Sequence, residues 1–319
     1  MTMQKSYQLE NSPLYRLQNK QKLSDLLAVS VKELKSLCLC GFYKVWIKKT
    51  ENKDREIQEP IGIRKKVHLR IHILLSRIIK PNYLYSGKKG VSCIHNAAFH
   101  VDNHYFLCTD ISHYYTNCKR EFIFRFFHNK MQMSADLAWI MTDMVSYNGH
   151  LPTGSHLSQD LSFLIHSDVF DTIHKIATEK GIAFSLYVDD LTFSSTSVIP
   201  KTTHLLINHH LKKVGLFLKR KKTKYYSKKH HKSITGVIIS PNNKLLIPNR
   251  HMKYIKDTVD KYQTPIAIPE KEKATLLGKL RYVRQIKNNF FDNVYRLARD
   301  SSKQTSSQGV SCEKEIVAP

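Results

Sequence analysis

Two adjacent aspartates, Asp189 and Asp190, lie between two short segments in which apolar and polar residues alternate, at 182–188 and 191–195. Alternation with a period of two residues is typical of half-buried β-strands, so the sequence predicts a β-hairpin with both carboxylates at or beside its turn. Neighbouring like charges repel and are costly to bury, and a divalent cation is one way to compensate them. A solvated acidic turn is the simpler explanation of this stretch taken alone.

A third aspartate occurs in a similar setting. The apolar segment 105–110 is a predicted strand that ends at Asp110. Three carboxylates at strand ends can hold two metal ions roughly 3.5–4 Å apart, which stabilises the attacking and leaving oxygens in phosphoryl transfer. Mg2+ suits such a site because it keeps several waters and uses few carboxylates. The sequence therefore predicts that Asp110, Asp189 and Asp190 form a catalytic cluster for two Mg2+ ions, with Mn2+ as the alternative metal.

The charge of the chain indicates its class of partner. It has 51 Lys and Arg residues against 26 Asp and Glu residues among 319, a formal net charge of +25. This excess favours a polyanion partner, most often nucleic acid, and an anionic membrane surface is the other candidate. No run of about 18 apolar residues exists, and the N-terminus lacks the apolar core of a signal peptide. We therefore expect a cytoplasmic protein with no membrane partner.

Several motifs together resemble one family. Tyr115 follows Asp110 by five residues, and Tyr-Val-Asp-Asp stands at 187–190, which resembles reverse transcriptases. Asn96-Ala-Ala-Phe-His100 and Ile-Thr235-Gly236 resemble elements of the bacterial retron-type enzymes. The resemblance covers roughly residues 25 to 300. It implies an α+β right-hand polymerase with fingers, palm and thumb, whose antiparallel palm sheet carries the catalytic aspartates.

The resemblance also implies a domain organisation. N-terminal helices and fingers are expected at 1–104, and the palm at 105–240 with fingers helices inserted around 120–150. The thumb is expected at 241–300. The segment 301–319 is polar with few apolar residues, so we expect it to be disordered.

Two basic residues are expected to contact the incoming nucleotide. Segments 42–48 and 55–59 are predicted strands with a turn at 51–54, where reverse transcriptases carry a fingers hairpin. Arg55 would clamp the triphosphate of that nucleotide bidentately, and an edge-strand arginine kept for solubility is the alternative. The resemblance places Lys222 near the same triphosphate, as a general acid.

The segment 151–158 resembles the Leu-Pro-Gln-Gly-x-x-x-Ser element of the family. There, a glycine turn lets the backbone approach primer and nucleotide, so Thr153 and Gly154 are expected substrate-binding residues. The chain departs from the pattern with Thr153 in place of Gln and His156 in place of Pro.

Tyr115 is the expected sugar gate. Reverse transcriptases place an aromatic residue at this position, where it leaves no room for a ribose 2′-hydroxyl. Tyr114 is the alternative gate, since strand alternation sends adjacent side chains to opposite faces and only one of them can face the sugar.

The predicted thumb helices are basic, and Arg281, Arg284 and Lys287 are expected to bind RNA. The resemblance implies an RNA-directed DNA polymerase that uses dNTPs to copy its cognate structured non-coding RNA into DNA. Its product would be branched multicopy single-stranded DNA (msDNA), in an anti-phage defence system with a toxin or effector protein as a further partner. The alternatives are another bacterial reverse transcriptase class and a non-catalytic RNA-binding scaffold.

Overall fold

A computed structural model describes residues 6–37, 41–49, 54–262 and 268–308, with side chains described up to 300. Most of the expected turn at 51–54 and the end of the expected tail, 309–319, lie outside these residues. The chain divides into two compact units. The first comprises Met1–Ser92 and Asn103–Ser227, and the second comprises Cys93–Asp102 and Lys228–Pro319.

Helices and antiparallel strands both contribute to the fold, which confirms the α+β class. The helices are α1 (Lys20–Leu27), α2 (Val31–Leu37), α3 (Gly62–Ser76), α4 (Cys93–Ala98), α5 (Tyr114–Asn117), α6 (Arg120–Arg125), α7 (Ala135–Val145), α8 (Ser158–Glu179), α9 (Lys201–Lys213), α10 (Asn249–Tyr262), α11 (Glu270–Ile286) and α12 (Asp292–Gln308). The strands are β1 (Tyr43–Lys48), β2 (Arg55–Pro60), β3 (Tyr105–Asp110), β4 (Ala183–Tyr187), β5 (Asp190–Ser195), β6 (Lys224–Tyr226), β7 (Lys232–Ile234), β8 (Val237–Ile239) and β9 (Leu245–Leu246). A π-helical turn, Phe126–Lys130, continues α6.

A four-stranded antiparallel sheet forms the centre of the first unit. Its strand order is β4–β5–β3–β6, so the strand that ends at Asp110 lies beside the strand that begins at Asp190. Apolar side chains of the sheet, such as Phe184 and Phe193, are buried and belong to the same core as Phe170 on α8. Burial of these rings fixes the strand register, because a slip of one residue would expose them.

A separate two-stranded sheet is formed by β1 and β2, paired antiparallel as expected for a fingers hairpin. The helix before it begins at a capping box. The Ser30 N–H donates to Glu33 Oε2 at 2.6 Å, and the Glu33 N–H donates to Ser30 Oγ at 3.2 Å. These bonds satisfy main-chain donors that a helix N-terminus leaves free.

The second unit contains the short helix α4, which contacts β7 and β8 of a three-stranded antiparallel sheet, and the helices α10, α11 and α12. The helices have a small core of their own, in which Ile255, Leu276 and Leu280 are fully buried. None of the helices in the described part of the chain is apolar over enough length to cross a lipid bilayer.

The compact units divide the chain differently from the expected domains. The residues of α4 group with the C-terminal unit, and that unit resumes at Lys228 rather than at 241. The fingers, palm and thumb boundaries therefore stay a prediction. α12 runs to Gln308, so the main chain is helical through the first part of the segment that was expected to be disordered.

Candidate active site

The two adjacent aspartates lie at the tip of a tight hairpin. Tyr187 in β4 is paired with Asp190 in β5, so the loop between the strands has only two residues, Val188 and Asp189. Asp110, the last residue of β3, lies directly opposite Asp190. The hairpin expected from the alternating pattern is confirmed, and the sheet brings Asp110 to its turn.

The three carboxylates form a compact acidic group. One oxygen of each of Asp110, Asp189 and Asp190 lies within 4.8 Å of the others. Burial, followed by repulsion from Asp110 and Asp190, raises the pKa of Asp189 to about 7. Burial, followed by repulsion from Asp110, raises the pKa of Asp190 to about 6. Like charges placed directly opposite each other in a sheet are destabilising, so ionisation of this group needs a compensating cation.

The arrangement fits a divalent metal. Hard cations such as Mg2+ prefer carboxylate oxygens, and a shared cation would replace the mutual repulsion of Asp110, Asp189 and Asp190 with attraction. Among the residues that the structure describes, no other group of three or more acidic, histidine or cysteine side chains has this geometry.

A lysine already compensates part of this charge. Lys222 Nζ donates to Asp110 Oδ2 at 2.7 Å. Partial burial opposes the positive charge of Lys222, but the hydrogen bond to Asp110 and the field of the three carboxylates raise its pKa overall. The structure therefore places Lys222 beside the acidic group. Its expected position near the triphosphate and its role as a general acid stay predictions.

Lys222 owes this position to a segment that runs beside the end of β3. The Lys219 N–H donates to the Asp110 carbonyl at 2.8 Å, the Ser112 N–H donates to the Phe217 carbonyl at 2.7 Å, and Thr109 and Thr223 share a hydroxyl hydrogen bond of 2.9 Å. Lys219 Nζ lies 3.8 Å from Asp110 Oδ1 and was not singled out by the motif. The sequence signal that could have identified Lys219 is its position three residues before Lys222.

Tyr114 and Tyr115 differ in burial. Tyr114 is 5% exposed and packs against the ring of Phe170, whereas Tyr115 is only partly buried. Burial and then the charge of Asp189 raise the pKa of the Tyr115 phenol. Burial chiefly raises the pKa of Tyr114 as well, with a smaller contribution from Asp189, so burial is what differs between the two residues. The two residues belong to the short helix α5 rather than to a strand, so strand alternation is the wrong reason for their difference. Helical geometry separates them instead, and Tyr115 as the sugar gate stays a prediction.

The turn that contains Thr153 and Gly154 is packed against β2. The Thr153 hydroxyl donates to the Glu56 carbonyl at 2.8 Å and accepts from the Gln58 N–H at 3.2 Å. The Gly154 N–H donates to the Gln58 carbonyl at 3.2 Å. A Cβ on Gly154 would lie 2.9 Å from that carbonyl oxygen, so the close approach that requires glycine here is to the chain's own β2 strand.

Two further residues frame this region. Arg55 begins β2, is exposed and lies opposite Lys48. Gln58 is 6% exposed, and its side-chain amide accepts from the Thr153 N–H at 3.4 Å and donates to Glu56 Oε1 at 2.8 Å. The motif did not identify Gln58, although a lone amide among the charged residues Arg55, Glu56 and Glu59 was a weak signal.

The two retron-like elements meet in the second unit. Asn96 Nδ2 donates to Thr235 Oγ1 at 3.3 Å, and that hydroxyl donates to the Cys93 carbonyl at 3.3 Å. Asn96 and His100 are fully buried, and burial lowers the pKa of His100 to about 3. Gly236 has a φ of +89° and its carbonyl accepts from the Tyr282 hydroxyl at 3.0 Å. Asn96, Thr235 and Gly236 therefore make these contacts within the second unit.

The three expected RNA-binding residues of the second unit are in different environments. Arg281 is exposed on α11, and Lys287 follows α11 with its Nζ 5.0 Å from the centre of the Phe290 ring. Arg284 Nη1 donates to Asp292 Oδ1 at 2.5 Å, and its guanidinium lies 4.5 Å from the centre of the Tyr295 ring. Arg284 thus joins α11 to α12, and RNA binding by all three residues stays a prediction.

Comparison with known proteins supports the family resemblance. No family model matches the chain. The retron Se72 reverse transcriptase of Salmonella heidelberg (strain 579083-10) is 29% identical over 171 residues, which cover 50% of this chain and 44% of that protein. The retron Ec86 reverse transcriptase of Escherichia coli is 24% identical over 243 residues, which cover 74% of this chain and 75% of that protein. The similarity to Se72 thus spans less than half of the relative's length.

A solved structure of a foamy viral protease-reverse transcriptase in complex with double-stranded DNA also matches, with a TM-score of 0.45 and 15% identity. The match covers 88% of this chain and 45% of that one. A score below 0.5 is too low to assign an architecture. The sequence relatives confirm the resemblance to retron-type reverse transcriptases that the motifs indicated.

Proposed function

We propose that this relative of the retron reverse transcriptases is an RNA-directed DNA polymerase. The observation that carries the proposal is the acidic group of Asp110, Asp189 and Asp190 at the end of an antiparallel sheet, with Lys222 hydrogen-bonded to it. Phosphoryl transfer depends on positioning and on stabilising the charge of the transferring group. The three carboxylates would hold and position the divalent cations that supply this stabilisation. The named function of the sequence relatives supports the same reaction.

In this reaction the primer 3′-hydroxyl attacks the α-phosphorus of a dNTP. The hydroxyl gives its proton to water as the new oxygen–phosphorus bond forms, the bond from the α-phosphorus to the bridging oxygen breaks, and pyrophosphate leaves. Asp110, Asp189 and Asp190 would hold two Mg2+ ions, or Mn2+, which supply charge stabilisation at the attacking and leaving oxygens. Lys222 can donate a proton to the leaving pyrophosphate. Arg55 would hold the triphosphate, and Tyr115 would exclude a 2′-hydroxyl.

The proposed architecture is the right hand. β1 and β2 form the fingers hairpin, the four-stranded sheet forms the palm, and the helices α10–α12 form the thumb. The net charge of +25 supports a nucleic-acid partner, since Lys and Arg residues can neutralise phosphates. The proposed substrate is a cognate structured non-coding RNA, the product is branched msDNA, and the proposed location is the bacterial cytoplasm.

The catalytic assignment is tested by removing one charge. Asp189→Asn keeps the shape of the side chain, so primer extension on an RNA template should fall by orders of magnitude while RNA binding persists. Asp168→Asn is the matched control, because the Asp168 side chain is 80% exposed on α8 and should leave extension unchanged. Near-normal extension by Asp189→Asn would refute the assignment and favour a non-catalytic RNA-binding scaffold.

The retron assignment needs its own test. Co-expression of the chain with the DNA upstream of its gene should yield branched RNA–DNA if a structured non-coding RNA is encoded there. Loss of phage resistance in the Asp189→Asn strain would connect synthesis to defence and to a toxin or effector. Extension of generic primed RNA without any branched product would favour another bacterial reverse transcriptase class.

A further inference from the structure

The loop that carries Asp189 has an unfavourable backbone conformation. Val188 has a φ of +57°, a left-handed conformation that a β-branched residue rarely adopts. Asparagine, aspartate or glycine is the usual choice at such a position. Strained backbone of this kind persists only where surrounding contacts hold it, and such positions cluster at functional sites.

Two hydrogen bonds hold this loop from opposite sides. The Val188 N–H donates to Ser86 Oγ at 2.9 Å, and Ser86 is 5% exposed. The Asp189 carbonyl accepts from the Ile111 N–H at 2.8 Å, on the chain that follows Asp110. The bond to Asp189 joins two main-chain groups, whereas the bond to Val188 depends on the side chain of Ser86, which no motif identified.

Ser86 is itself fixed in place by main-chain pairing. Residues 83–86 run along the outer edge of β4. The Leu186 N–H donates to the Tyr83 carbonyl at 2.8 Å, and the Tyr85 N–H donates to the Leu186 carbonyl at 2.9 Å. The hydroxyl of Ser86 therefore arrives at the hairpin loop from a segment already paired with the hairpin.

The other side of Ser86 is anchored to α8. Lys80 Nζ donates to the Gly87 carbonyl at 2.6 Å and forms an ion pair with Asp160, in which both side chains are 3% exposed. Gly87 has a φ of +63°, and a Cβ there would lie 2.9 Å from Asp160 Oδ1. Because hydrogen bonds hold Tyr85 before it and Gly87 after it, Ser86 has little freedom to move away from Val188.

We propose that Ser86 is a positioning residue of the polymerase reaction, which holds Val188 in its left-handed conformation and thereby fixes the carboxylate of Asp189 relative to Asp110. The expected effect of Ser86 on kinetics rests on the proposed function. Its expected effect on metal affinity does not. Ser86 itself contacts the loop backbone rather than substrate.

The test compares Ser86→Ala with the wild-type protein in single-nucleotide incorporation, with rates normalised to titrated active sites. We expect kcat to fall roughly ten- to a hundred-fold, because misplacement by about 1 Å can cost that much, with little change in KM for the dNTP. The Mg2+ concentration for half-maximal rate should rise. Ser24→Ala is the matched control, since Ser24 is 2% exposed and hydrogen-bonds the Val29 carbonyl away from the sheet. Ser24→Ala should change neither kcat nor the Mg2+ concentration for half-maximal rate.

A second readout separates this proposal from the polymerase assignment. Binding of Mn2+ to the protein without nucleic acid, followed by electron paramagnetic resonance, should be weaker in Ser86→Ala than in the wild type and in Ser24→Ala. If the wild type lacks polymerase activity, the proposed function fails, and the Mn2+ isotherms still decide the role of Ser86. If Ser86→Ala keeps the kcat, the Mg2+ dependence and the Mn2+ affinity of the wild type, the proposed role of Ser86 is overturned.

A double-mutant cycle tests whether Ser86 acts through Val188. Glycine adopts positive φ without steric penalty, so Ser86→Ala should cost less Mn2+ affinity in a Val188→Gly background than in the wild type. Additive effects of the two substitutions would overturn the proposal. If Ser86→Ala does not fold, Ser86→Cys replaces it, because a thiol is nearly the same shape but a weak acceptor. It should shift Mn2+ affinity in the same direction, and unchanged affinity would count against Ser86.

Discussion

Lys222 Nζ lies 2.7 Å from Oδ2 of Asp110, a carboxylate that is 5% exposed, while the lysine side chain itself is 52% exposed. The ammonium group of Lys222 is therefore hydrogen-bonded to the acidic group, while about half of the lysine side chain is accessible to solvent. This geometry fits the proposed contact of Lys222 with a substrate phosphate.

We expect Lys222→Gln to lower the rate of nucleotide incorporation by about 10²-fold or more, the usual contribution of a general acid. Lys222→Arg keeps the charge but does not release a proton near neutral pH, so it should not restore the rate. Lys221→Gln, at an exposed neighbour, is the control. Full activity of Lys222→Arg would show that charge alone is required.

The acidic group predicts a pH dependence of stability in the absence of divalent metal. The pKa values of Asp189 and Asp190 in the folded state, about 7 and about 6, lie above the ordinary value of 3.8. The folded state therefore keeps protons that the unfolded state releases between these values. The free energy of unfolding should fall as pH rises from about 4 to about 7. Urea denaturation in EDTA measures this, and Asp189→Asn should flatten the profile.

Metal should reverse that trend. Mg2+ binds ionised carboxylates, so its stabilising effect should grow as pH rises through the pKa values of Asp190 and Asp189. The shift in melting temperature on adding Mg2+ should be larger at about pH 7.5 than at about pH 5.5. A shift that does not depend on pH would contradict the assignment of these residues as metal ligands.

The sugar gate is tested by comparing two adjacent tyrosines. Tyr115→Val should relax discrimination against rNTPs, because removing the ring makes room for a 2′-hydroxyl. Tyr114→Val removes a buried ring, so it should cost roughly 3 kcal/mol of stability with no change in sugar selection. Incorporation ratios of dNTP to rNTP decide between them. Relaxed selection in Tyr114→Val alone would reverse the assignment.

The hydrogen bond between Asn96 and Thr235 predicts energetic coupling between the two retron-like elements. Asn96→Ala and Thr235→Val should each destabilise the protein, and the double variant should show a coupling energy of about 1 kcal/mol. Ser233→Ala is the control, because Ser233 is exposed on β7. Additive effects in denaturation experiments would show that the two elements act independently.

Arg281 and Arg284 should respond differently to substitution. Arg281 is exposed, so Arg281→Ala should leave stability unchanged and reduce the salt slope of RNA binding by about 1 if it contacts a phosphate. Arg284→Ala breaks the contacts with Asp292 and Tyr295 and should lower thermal stability first. Filter binding at several salt concentrations, with melting curves of the same variants, separates the two effects.

The sequence predicted those parts of the site that leave a periodic signal. Alternation around Asp189 located the hairpin, because each strand must bury one face. The apolar run that ends at Asp110 predicted the strand β3 in the same way. Ser86 and Gln58 could not be found like this, because their hydrogen bonds join segments far apart in the sequence and leave no repeating pattern. The helical turn at Tyr115 was missed for a related reason, since four residues are too few to show a helical period.

The close packing of Gly154 against Gln58 affects how mutational scans of this chain should be interpreted. Any side chain at position 154 would meet the Gln58 carbonyl and the Ile57 side chain, because its Cβ would lie 2.9 Å from an atom of each. Loss of activity in Gly154→Ala would therefore report a displaced β2 strand, and with it a displaced Arg55. A library that varies position 154 would therefore mostly sample displacements of the β1–β2 hairpin, whereas one that varies position 153 would change the hydrogen bonds that Thr153 makes with Glu56 and Gln58.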